Sequence, residues 1–241
     1  MTHVNNVQSF EKLLGICTGY GGTYNPGKQN LRVENLTNLL MQAREKLLQV
    51  SVTKSNHEQA QNDREIAFEE MRQLTSRILA ELKSSGALPQ TVADATVVAR
   101  KIRGYVKRQK PDVAKDEKAA VGEAVTHKRF NADFGNSTAY FEKLLQTLGN
   151  EPMYQPAKPE LQMDTLQATL ANLRSVNAAV VTAYAAWSNA RRERTSFLYL
   201  GPESLHATAM AVKQQVKATF GHTSEATALV RKIRFTKLSK R

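Results

Sequence analysis

The sequence predicts an all-α protein built from two tandem, homologous helical bundles related by a pseudo-twofold, and three observations predict it. First, Phe10-Glu-Lys-Leu-Leu14 returns as Phe141-Glu-Lys-Leu-Leu145, and Arg100-Lys-Ile-Arg103 returns as Arg231-Lys-Ile-Arg234, each 131 positions later. Tyr24-x-Pro26 and Leu31 pair with Tyr154-x-Pro156 and Leu161 at 130, so one residue of slippage aligns the copies. Self-similarity at a fixed period marks a repeat architecture. Second, apolar residues recur at helical spacing. Third, there is no Asn-Gly hairpin turn and no sustained alternation of Val, Ile, Thr and Tyr to signal strands.

Each copy reads alike along the chain. A short amphipathic helix comes first, near 7–17 and 137–148, and ends in a Gly- or Pro-rich loop that carries Tyr-x-Pro. A long helix comes next. In the second copy Leu166, Leu170, Leu173, Asn177, Val180, Tyr184, Trp187, Arg191, Arg194 and Leu198 step by four and three, with no Gly or Pro from 160 to 200. Such a run predicts one helix of about 40 residues, roughly 60 Å long. Gly201-Pro202 stops it, and Pro202 suits the first position of the next helix.

The matching seam in the first copy is Leu36, Leu40, Ala43, Leu47, Val50, Lys54, His57, Gln61, Arg64 and Phe68. Its polar middle, Ser51 to Asn56, could turn the chain into a hairpin. Val181 to Ala186 of the other copy has no turn chemistry, which favours a continuous helix. Two shorter helices then lead to Arg-Lys-Ile-Arg in each copy, and Thr91-x-x-Asp94 resembles a capping box for the last of them. The repeats span 1–107 and 136–241, joined by a linker over 108–135 rich in Lys, Ala, Asp and Gly. A helix that long outruns its own short neighbours, so its surplus seam is expected to pack on the other copy.

Cys17 is the only cysteine, which excludes an intrachain disulfide and fits a reducing compartment. The start of the chain lacks the basic and apolar stretches of a secretory signal, and no window holds 18 unbroken apolar residues. The expected location is the cytoplasm.

The net charge of +12 is localised. Arg100, Lys101, Arg103, Lys107, Arg108 and Lys110 fall in one stretch without an acid, and Arg231, Lys232, Arg234, Lys237, Lys240 and Arg241 in another. Removing those 12 from the 34 Lys and Arg leaves 22 bases against 22 acids, so the rest of the chain is neutral. Tyr105 and Phe235 interleave with these cations as stacking platforms do in phosphate-binding surfaces. Lys and Arg at a helix C-terminus also complement its dipole, and a basic tail aids solubility.

Comparison of the copies weakens the enzyme-like patterns. Gly22-Thr-Tyr-Asn-Pro-Gly27-Lys28-Gln29 approaches a phosphate loop, but Gln29 replaces the magnesium-binding hydroxyl and the second copy lacks the glycines. Glu203-x-x-His206 has a metal-pair spacing, yet its counterparts are Gln73 and Ser76. His57-Glu58 starts like a zinc-protease helix without the second histidine. Cys17 corresponds to Leu148, which points to a small core residue. No catalytic residue, metal or cofactor is expected. Arg64 and Arg194 lie on the seam in both copies beside Asp63 and Glu193, where an interhelical ion pair would fix register, and Trp187 is the seam's largest side chain.

The expected function is therefore non-enzymatic binding of a polyanion, nucleic acid without sequence specificity, through the two basic segments. The alternative is a protein–protein adaptor or homo-oligomeric scaffold that works through the long-helix seam, with a protein partner or acidic lipid meeting the basic surface.

Overall fold

Residues 33–84 contain neither Gly nor Pro, and in the computed structural model they form one helix, α2 (Val33–Ser84, 52 residues). The structure describes residues 2–104 and 134–237. Its other helices are α1 (Thr2–Gly19), α3 (Pro89–Ile102), α4 (Phe134–Gly149), α5 (Met163–Tyr199), α6 (Leu205–Phe220) and α7 (Glu225–Lys232). The described residues are all-helical, with no strand. No helix among them is long and apolar enough to cross a membrane.

The polar middle of α2 does not turn. Ser51–Asn56 is helical, and the Thr53 hydroxyl donates back to the Gln49 carbonyl at 2.7 Å rather than competing for the backbone. Lys54 and Glu58 pair at 3.1 Å one turn apart.

The copies differ after the long helix. In the second copy α5 stops where Gly201 takes a positive φ of 87°, and two short helices succeed it, as expected. Pro202 is not their first residue. It lies in the turn, and α6 starts at Leu205 behind Ser204, whose hydroxyl accepts from the Ala207 N–H at 3.3 Å. In the first copy the expectation of two short helices fails. Met71 and Arg72 stand where Gly201 and Pro202 would, nothing breaks the helix, and α2 absorbs the first of the two. The capping box at Thr91 is also not used. Helix α3 starts earlier, with Pro89 at its first turn and Leu88 at the N-cap, and the Leu88 N–H reaches the buried Glu151 carboxylate at 3.4 Å.

The described residues of Met1–Gln59 and Thr182–Arg241 form one compact unit, and those of Ala60–Val181 form another. These units do not follow the repeats in sequence. The first takes α1, the front of α2, the rear of α5, and α6 and α7. Its core joins Phe10, Leu13 and Cys17 to Leu36, Leu40 and Ala43, then to Leu198, Leu205, Val212 and Val230. The second takes α4, the front of α5, the rear of α2, and α3. Its core joins Phe141, Leu144 and Leu148 to Leu166, Leu170 and Leu173, then to Phe68, Ile78, Leu82 and Ile102. Each core thus needs helices from both repeats.

The loops that lead into the long helices make the same contacts. The Tyr24 hydroxyl donates to the Leu31 carbonyl at 3.0 Å, and the Tyr154 hydroxyl to the Leu161 carbonyl at 3.0 Å. A 3₁₀ turn leads directly into each helix, at Gln29–Leu31 and Pro159–Leu161, and the first loop holds another at Gly21–Thr23. The Gly22–Gln29 loop is therefore a helix entry anchored by a buried tyrosine.

A protease site inserted within 105–133 and cut should leave two fragments that co-elute under native conditions and separate only in denaturant. Cys17 is fully buried beside Tyr24, and burial pushes its thiol from 9.0 up to about 11. The folded protein holds that proton more tightly than the unfolded chain, so stability should fall as pH rises from about 9 towards 11. Denaturant midpoints across that range check this. The Cys17→Ala variant should lose the part that begins near pH 9 and keep the part above about 10, where the buried tyrosines Tyr24 and Tyr154, also raised by burial, begin to contribute.

Candidate polyanion interface

Helix α7 is short and ends in Arg231 and Lys232, where cations oppose the helix dipole. Both are exposed. Beyond it the chain leaves the helix at Ile233 in an extended conformation and is then held in place. Asn6 of α1, only 2% exposed, grips Thr236 from both sides. Its Nδ2 donates to the Thr236 carbonyl at 2.8 Å, and its Oδ1 accepts from the Thr236 N–H at 2.9 Å. The same Nδ2 donates to the Tyr199 hydroxyl at 3.1 Å, and Lys213 Nζ donates to the Ile233 carbonyl. A segment that reads as a loose basic tail is a fixed strap, with Arg234 and Lys237 exposed on it.

Phe235 does not serve as an open platform. Its ring is half-buried against the core, with Lys213 Nζ 5.3 Å from its centroid and His206 edge-on at 6.4 Å. Burial lowers the His206 pKa, and the nearby Lys237 and Lys213 lower it further.

In the other unit Arg100 and Lys101 are exposed at the end of α3, with Lys101 Nζ 5.2 Å from the Tyr140 ring centroid. Arg103 caps the helix half-buried, its Nε enclosed without a hydrogen-bond partner. Tyr105, Lys107, Arg108, Lys110, Lys240 and Arg241 lie outside the described residues. The same unit carries an open groove of about 530 Å³ between α2 and α5. Met71, Leu74, Thr169 and Asn172 line it, and the Arg77–Glu160 ion pair stands at its rim.

Among the described residues neither seam arginine is in one of the six ion pairs. The Arg64 guanidinium lies 3.9 Å from the centroid of Phe134. Glu193 pairs with Lys46 of α2 at 2.8 Å, not with the adjacent arginine. Arg194 is half-buried with its Nε enclosed and unpartnered, and burial together with Arg191 lowers its pKa.

One cluster went unnoticed in the sequence. Trp187 is stacked on His57 with centroids 5.5 Å apart and planes 20° apart, meets Tyr184 edge-on at 6.1 Å, and has the Arg191 guanidinium 5.1 Å away. His57 is 8% exposed, and its Nδ1 has no hydrogen-bond partner. Its signal was present: His57 and Trp187 occupy matching places 130 apart, and Tyr184, Trp187 and Arg191 share one helical face.

No protein-family model, no curated protein and no solved structure matches this chain.

Asn6→Ala should free the strap. Losing these bonds from a buried site should cost about 1–3 kcal/mol in denaturant unfolding. Trypsin should then cut after Arg234 and Lys237 faster than in the parent protein, as read by mass spectrometry.

Proposed function

We propose that this is a non-enzymatic, internally duplicated helical protein that binds a polyanion, nucleic acid without sequence specificity, through its basic helix ends. One observation carries the reading. Among the described residues, none of the six ion pairs uses Arg100, Lys101, Arg231, Lys232, Arg234 or Lys237, all of which are exposed. These six cations are thus presented to solvent rather than spent in ion pairs. In one unit the strap further fixes where two of these cations stand.

Exposed lysines and arginines meet phosphates, which fix position without reading base identity. That is why the proposal stops at nucleic acid of any sequence. Duplication is part of the reading. It is supported by the paired Tyr–carbonyl bonds and by the burial of Phe10 with Phe141, Leu36 with Leu166, and Phe68 with Leu198.

The alternative, a protein adaptor, draws support from Met41, Leu48 and Val52. They are 55%, 64% and 49% exposed and lie on one face of α2. The seam itself contributes Leu36, Leu40, Leu166 and Leu173 to the cores. An adaptor would engage the exposed stripe with little dependence on salt.

Fluorescence anisotropy with a labelled oligonucleotide tests the choice. The logarithm of affinity should fall linearly with the logarithm of salt concentration. Replacing Arg231, Lys232, Arg234 and Lys237 by Gln should weaken binding at least about tenfold near 0.1 M salt. It should also reduce the salt slope by about three to four. Unchanged affinity in that variant would overturn the proposal.

A further inference from the structure

We propose that Tyr184, backed by Trp187 and His57 and flanked by Arg191, is a stacking site for a nucleobase of a single strand whose phosphates run along the same unit. The inference rests on the polyanion reading and adds the kind of strand and where its bases go.

Tyr184 is 54% exposed beside the half-buried Trp187 and the buried His57. Here the inner layer is already occupied, since His57 is nine-tenths buried and lies flat on the half-buried Trp187. Tyr184 stands at the outer edge of this layer, 5.6 Å from His57 and 6.1 Å from Trp187 between ring centroids. The planes of those rings stand 58° and 77° from that of Tyr184, so neither lies flat on it. Base–aromatic stacking tolerates any sequence, in keeping with contacts that read only phosphate.

The surroundings supply charge of the right sign. Arg191 sits one turn beyond Trp187 and is exposed. Further along the same face, Arg194 approaches His3, whose pKa is lowered by burial and then by the fields of Arg194 and Arg191. His3 Nδ1 is 3.0 Å from the Tyr199 hydroxyl, which also accepts from Asn6, the residue that holds the strap carrying Arg234 and Lys237. The unit that holds the rings thus also presents Arg191 and the strap's Arg234 and Lys237 as exposed cations. At the matching places in the other copy stand Lys54, His57 and Gln61, so this pairing of exposed tyrosine, tryptophan and arginine occurs once.

Trp187 is the only tryptophan of the chain, so its emission reports on this site alone. The full-length protein is titrated with fluorescein-labelled oligothymidine, with a labelled duplex, and with heparin as a polyanion without bases. Anisotropy follows the labelled strands, and tryptophan emission follows all three. Oligothymidine should quench Trp187, whereas duplex and heparin should bind with little change in emission. Tyr184→Ala, at an exposed position, should weaken oligothymidine binding about tenfold and leave heparin binding unaltered. Tyr184→Phe, which keeps the ring, should restore it. Oligothymidine that binds by anisotropy without changing Trp187 emission overturns the stacking site and leaves the polyanion reading standing. So does an equal loss of heparin and oligothymidine affinity in Tyr184→Ala. If none of the three ligands binds, both proposals fall.

Discussion

The fold depends on a mismatch between an apolar face and the helices available to cover it. Helix α2 runs for 52 residues because nothing in residues 33–84 stops it. It carries buried side chains near both ends, from Leu36 and Leu40 to Ile78 and Leu82. The short helix before it and the short helix after it cannot share one core across that length. Leaving either stretch of seam in water would forfeit roughly 1.5–3 kcal/mol per large side chain. The unfilled demand is met by α5, which likewise contributes to both cores, Leu166 and Leu173 to one and Leu198 to the other. Each compact unit therefore combines the front of one repeat with the rear of the other.

This arrangement explains why the helix entries are specified so tightly. A long helix that must serve two cores has to be aimed correctly from its first turn. The buried Tyr24 and Tyr154 tie each entry loop to the carbonyl that precedes the helix. By contrast, the exits differ freely. Gly201 ends one helix early and Ser204 begins the next, whereas Met71 keeps α2 going, and both solutions bury a side chain at Thr75 or Leu205.

Much of this was legible in the residues. Unbroken helical periodicity located both long helices, and the Tyr-x-Pro devices located their entries. Patterns whose competing partner lay far away in sequence were misread. Thr91 looked like a cap, but Glu151 reaches the start of α3 from 63 residues away. Phe235 looked like part of an exposed basic tail. Local sequence gives no hint that Asn6, 230 positions earlier, straps Thr236 to α1 and places that ring against the core. Asp63 and Glu193 suggested ion pairs for their neighbours, yet the opposite helix offered Phe134 to one arginine and Lys46 to one acid. In each case the deciding contact is long-range, and a one-dimensional pattern carries only short-range information.

The phosphate-like loop and Glu203 have no counterpart 130 positions away. The ring cluster is equally one-sided: Tyr184 and Trp187 stand in the second segment, while the first contributes His57 from the position matching Trp187. What marks the cluster is its cost. The enclosed His57 imidazole nitrogen, without a hydrogen-bond partner, works against stability. The places 130 positions before Tyr184 and Arg191 hold the plainer Lys54 and Gln61. Asymmetry that lowers stability is thus better evidence of specialisation than symmetry that preserves it.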